Sequence, residues 1–139
     1  MVNVTGDRPY APTDLEMDPL TGLYTRAAAN RIVLEGVRRA QENETVISVA
    51  LLDVDRFQAF DEKYGLIAGD VLLKRVAGVL SAGDTGAETI ARYSRDTFLL
   101  VFPDTVPEDA LLATEKTRSF FDANPLTLDL KAKSIEVRV

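Results

Sequence analysis

Two aspartates close an apolar run: Val46-Ile47-Ser48-Val49-Ala50-Leu51-Leu52 leads straight into Asp53-Val54-Asp55. Carboxylates at the end of a buried strand are costly unless water, a partner charge or a bound cation meets them. Two roles fit such a pair. Either the aspartates cap a helix beginning near Arg56-Phe57, or they offer oxygen to a hard metal. The chain has no His and no Cys, which removes a Ser-His-Asp triad, a cysteine nucleophile, a Cys/His zinc site and a disulfide framework. Catalysis would rest on carboxylates, lysines, hydroxyls, backbone groups or a metal held by oxygen.

Positioning those acids takes a folded unit, and 139 residues with 46% hydrophobic content suit one domain. Residues 1–17, with Gly6, Pro9 and Pro12, read as a tail or linker. Thr21 or Thr25 can cap a following helix whose apolar positions Ile32, Val33, Val37 and Ala40 recur at helical spacing. The run Val46–Leu52 reads as a strand buried on both faces. A short amphipathic stretch then reaches Tyr64, Gly65 stops it, and a helix from about Ala68 to Ser81 carries Leu72, Leu73, Val76 and Leu80 on its core face.

Thr89–Tyr93 and Phe98–Phe102 read as strands around Ser94-Arg95-Asp96-Thr97, short enough for a hairpin. A tight primed turn there would favour Gly or Asn at positive φ, which Ser and Arg supply poorly. Pro107 opens a helix through about Phe121, and Leu126–Leu128 and Ile135–Val139 are the closing strands. Helices and strands mix within one unit, so the class is α/β or α+β.

Taken in order, Asp18-Pro19-Leu20-Thr21-Gly22-Leu23, Asp53-Val54-Asp55-Arg56-Phe57, Tyr64-Gly65, Gly69-Asp70-Val71-Leu72-Leu73 and Arg92-Tyr93 before a turn form a pattern. It resembles the GGDEF domain of diguanylate cyclases over residues 18–139. The resemblance implies a central, mostly antiparallel sheet flanked by helices, similar to nucleotidyl cyclases and polymerase palm domains. It also implies condensation of two GTP molecules into cyclic di-GMP across a homodimer. In that chemistry a 3'-hydroxyl attacks an α-phosphate, and magnesium stabilises the developing charge through oxygen ligands. By resemblance the metal ligands are Asp53, the Val54 carbonyl and Asp96. Asp61 and Asp70 match positions that read the guanine edge. Phe57 and Leu73 help line the pocket by the same resemblance, although ordinary core packing is the stronger reading of both.

The signature turn departs from the family. Ser94-Arg95-Asp96-Thr97-Phe98 stands in place of Gly-Gly-Asp/Glu-Glu-Phe. Glycines there let backbone approach the nucleotide, whereas Arg95 adds a long cation and Thr97 replaces a carboxylate with an uncharged hydroxyl. Losing a transition-state ligand commonly costs ~2.7–4 kcal/mol, as for an oxyanion donor. Asp61 replaces an Asn; when ionised it accepts hydrogen bonds from the guanine N–H groups and offers nothing to the carbonyl. Gln58 and Leu66 replace a Lys and a His. The product-site Arg-x-x-Asp reads Thr85-Gly86-Ala87-Glu88, without the bidentate guanidinium. Ser134-Ile135-Glu136-Val137 is an altered form of the family's next strand, or Glu136–Val139 its beginning; the family's following basic helix and last strand are missing from this chain.

A net charge of −6, from 16 basic and 22 acidic residues, argues against a nucleic-acid partner. No apolar run approaches the roughly 20 residues that cross a bilayer, so a cytoplasmic domain is expected. The reading is a catalytically degenerate GGDEF domain acting as a regulatory or interaction module. It would work on a partner domain or protein in cyclic di-GMP signalling and retain weak GTP and Mg2+ binding. The alternatives are an active or weakly active cyclase, supported by the surviving Asp53, Asp70 and Asp96, and an unrelated α/β domain with structural aspartates.

Overall fold

The computed structural model describes residues 16–130 and 133–137. Residues 1–15 of the tail expected over 1–17, and positions 138–139 of the last expected strand, lie outside them. Glu16 is buried and pairs with Arg31, and Met17 bridges Tyr24. Helix α1 (Arg26–Asn43) is capped by Thr25, whose hydroxyl accepts the Ala28 N–H at 3.2 Å. Thr21 is used differently: its N–H and hydroxyl both donate to Asp18, at 2.9 and 2.7 Å.

Strand β1 (Ile47–Asp53) is followed by α2 (Phe57–Tyr64) and α3 (Leu66–Ala82). Only Gly65 separates these helices, at φ 94° and ψ 164°, a conformation that L side chains rarely adopt. Because one residue makes the break, α3 starts at Leu66, earlier than the apolar spacing suggested. Strands β2 (Thr89–Arg92) and β3 (Thr97–Pro103) follow, then α4 (Pro107–Ala123) with Pro107 in its first turn. A separate antiparallel hairpin, β4 (Leu126–Leu130) and β5 (Lys133–Val137), ends the described chain.

The three-stranded sheet runs β1-β3-β2, antiparallel throughout, with Asp53 opposite Thr97 and Arg92 opposite Phe98. The architecture is thus α+β, an antiparallel sheet flanked by helices, in agreement with the expected class. Phe98, Leu100 and Phe102 on one face join Phe57, Leu72, Leu73, Val76, Leu80 and Phe121 in the main core. On the other face Leu99 and Val101 pack with Ala91 and Ala29 of α1.

Strand β1 corrects the reading of a strand buried on both faces. Ser48 and Leu52 are buried, yet Val49 is 50% and Leu51 58% exposed. Both lie on the α1 side, and β1 is the sheet's edge; α1 buries only Ala28 and Ala29. Val33 is half-buried against the sheet and Val37 exposed, while the half-buried Ile32 and Ala40 line a cleft of about 390 Å³ between α1 and the sheet.

Candidate functional site

The β2–β3 connection, Tyr93-Ser94-Arg95-Asp96, needs no left-handed residue: the positive-φ non-glycine positions of the described chain are Glu44, Arg56 and Asp104. With four residues in the loop, the strands close without a primed turn. The N–H groups of Tyr93 and Ser94 both donate to the Thr97 carbonyl, at 2.8 and 3.2 Å. The difficulty expected for Ser and Arg is avoided by lengthening the turn.

Around this turn the structure gathers most of the residues singled out above. Thr97 donates its hydroxyl to Asp53 Oδ1 at 2.7 Å across the strand pair. The Val54 N–H donates to the Asp96 carbonyl at 3.1 Å. Neither Asp53 nor Asp55 caps α2: its N-cap is Arg56, left-handed and without a side-chain capping bond. Asp53 instead points its carboxylate at β3, so the capping role offered by the sequence falls away.

Arg95 dominates the other side of the turn. Its Nε and Nη2 donate to Asp61 Oδ2 and Oδ1 at 3.1 and 3.2 Å, a bidentate fork. Its Nη1 donates to Asp70 Oδ1 at 3.1 Å. The guanidinium carbon lies 5.2 Å from the centre of the Phe57 ring, within cation–π range. Asp61 comes from α2 and Asp70 from α3, so the break at Gly65 brings the acids together. A Cβ on Gly69 would fall 1.9 Å from Asp61 Oδ1; glycine is what lets that carboxylate sit against α3. Burial alone would lower the Arg95 pKa, but the hydrogen bonds it donates to Asp70 and Asp61, with their negative charges, outweigh it and raise the pKa. Phe57 is buried beneath the cation, Leu73 is fully buried in the core, and Phe98 is likewise a core residue.

The sequence marks Arg92 as part of the Arg92-Tyr93 motif before the turn without assigning it a role. Its Nη1 contacts both oxygens of Asp18, at 3.3 and 3.2 Å, and its Nε and Nη2 donate to the Arg95 carbonyl at 3.3 and 3.1 Å. It therefore ties the turn's backbone to the segment before α1. Burial would raise the Asp18 pKa, but the Thr21 hydroxyl and N–H and the Arg92 charge hold it below the usual carboxylate value. At the expected product-site position, Thr85-Gly86-Ala87-Glu88 forms a tight loop in which the Thr85 hydroxyl accepts the Ala87 N–H at 3.2 Å.

Magnesium asks for several oxygen ligands in near-octahedral array, commonly one or two carboxylates completed by water and phosphate. Among the described residues no three metal-ligating side chains converge. Asp53 faces a neutral hydroxyl in Thr97 where a second acid would close the set. At this point of the strand pair Asp53 thus offers one carboxylate and Thr97 a neutral hydroxyl, fewer anionic oxygens than a two-metal centre draws on.

Fold and turn together define an antiparallel α+β domain in which Asp61 and Asp70 converge on Arg95 at one end of the sheet. Residues 15–139 match the family model described as diguanylate cyclase, GGDEF domain, and the chain belongs to that family. It is 34% identical over 108 residues to the diguanylate cyclase DgcP of Pseudomonas aeruginosa, covering 78% of this chain and 16% of that protein. It is 30% identical over 111 residues to the response regulator PleD of Caulobacter vibrioides, covering 80% of this chain and 24% of that one. In structure it is similar to the GGDEF domain of DgcB from Caulobacter crescentus, solved in complex with c-di-GMP. That match has a TM-score of 0.81 and 25% identity, covering 92% of this chain and 73% of the DgcB chain. The chain thus spans a minor part of the curated relatives. Among the described residues no helix is long and apolar enough to cross a membrane.

Proposed function

We propose that this chain is a GGDEF domain of cyclic di-GMP signalling that no longer synthesises the dinucleotide and serves as a regulatory or interaction module. Its partner in this reading is another domain or protein, and its small-molecule ligand is GTP, bound weakly. The observation that carries the reading is the Asp53–Thr97 pair: a hydroxyl hydrogen-bonds the surviving acid where the family has a second carboxylate. A threonine adds no negative charge to balance metal ions on a triphosphate, so transition-state charge is stabilised less. Asp53, the Val54 carbonyl and Asp96 would hold magnesium, which would supply positive charge against a triphosphate. Asp61 and Asp70 meet the base over Phe57, and Leu73 supports that site from the core. A homodimer is required for turnover and not for this role.

The test pairs calorimetry with GTP and magnesium with a product assay on the chain in its complete reading frame. GTP should bind weakly and cyclic di-GMP should not form. Cyclic di-GMP formation that disappears in Asp53→Ala would establish the second reading, an active cyclase, which the survival of Asp53, Asp70 and Asp96 supports.

A further inference from the structure

The Arg95 guanidinium is held as a ligand is held. Two of its N–H groups reach both oxygens of Asp61, a third nitrogen reaches Asp70, and its central carbon stands 5.2 Å from the centre of the Phe57 ring. The Asp61 side chain is only 13% exposed, and a carboxylate that withdrawn from water needs a partner. The cradle is closely fitted: a Cβ on Gly69 would stand 1.9 Å from Asp61 Oδ1 and 3.1 Å from Arg95 Nη2. Such an arrangement of acceptors suits a planar group with adjacent N–H donors. The N1–H and N2–H2 edge of guanine is such a group, and adenine has no equivalent pair.

We propose that Arg95 is a built-in occupant of the base site, its guanidinium standing where the N–H edge of guanine would lie. Guanine nucleotides then bind this chain only when Arg95 swings into solvent. This rests on the reading that the site between Asp61 and Asp70 is where the base of GTP binds. Base and guanidinium need the same carboxylate oxygens, so their occupancies exclude each other. The side chain is 40% exposed, on a turn whose own hydrogen bonds run through backbone atoms, so it can leave without unmaking the hairpin. Arg95 thereby sets base affinity and does no chemistry.

The experiment titrates GMP and AMP into the parent chain, Arg95→Ala, Arg95→Lys and Arg95→Ala/Asp61→Ala, with circular dichroism confirming the fold of each. A resident occupant lowers apparent affinity by the fraction of molecules left open, so Arg95→Ala should bind GMP about tenfold more tightly than the parent. AMP affinity should not change, and adding Asp61→Ala should erase the gain. Arg95→Lys keeps the charge without the fork and should show a smaller gain in the same direction. Equal or weaker GMP binding by Arg95→Ala, or an equal gain for AMP, would overturn the proposal while leaving GTP binding intact. Failure of GMP, and of GTP with magnesium, to bind any form would overturn both this proposal and the GTP reading.

Discussion

On one face of the sheet Phe98, Leu100 and Phe102 meet residues of α2, α3 and α4 and are sealed from water. On the other, α1 covers Leu99 and Val101 through Ala29 but leaves Val49 and Leu51 at the β1 edge half in solvent. The acid pair hangs from the sealed side: Asp61 and Asp70 ride on the helices that bury Phe57, Leu72 and Leu73 there. Carboxylates that must face one guanidinium closely need rigid support, and the packed face provides it. The α1 face carries neither acid.

The sharpest way to break this contrast is Phe98→Ala. Phe98 is the last residue of the signature turn and is fully buried, so its truncation should cost about 3–5 kcal/mol in urea unfolding. An intermediate effect is expected from Asp18→Asn, which removes the charge opposite Arg92 on a partly buried pair. The loss should be about 1.5–3 kcal/mol at neutral pH. Its pH dependence has a definite sign. Asp18 titrates below its ordinary value when folded, so its contribution is complete above the unfolded value, about 3.9, and fades as pH falls through the lower folded value. Thermal melts of parent and variant should therefore converge only in acid, below about pH 4. The smallest effect belongs to the open face: Leu51→Ala, at a position 58% exposed, should change stability by no more than about 0.5 kcal/mol. A loss near that of Phe98→Ala would mean that the β1 face is covered.

Much of this arrangement was legible in the residues. Pro107 marked the start of α4, Gly65 the break before α3, and short apolar runs the strands of the sheet. The apolar run of β1 could not say how many faces are covered, because that depends on where α1 crosses the sheet. Arg95 was recognisable as a bulky intruder, but its partners lie 34 and 25 positions upstream on two helices, and only their packing brings both carboxylates to it. Arg92 was harder still. Its partner Asp18 is 74 positions away, and no local spacing connects them.

Arg92 divides one planar cation between an acid before α1 and the carbonyl of Arg95. Order in the two segments is consequently shared. Pulling the Asp18 segment away would leave the guanidinium holding the hairpin tip from one side only, and loosening the tip would slacken its grip on Asp18. A tug applied ahead of the first helix is felt, through a single side chain, at the bend that carries Arg95.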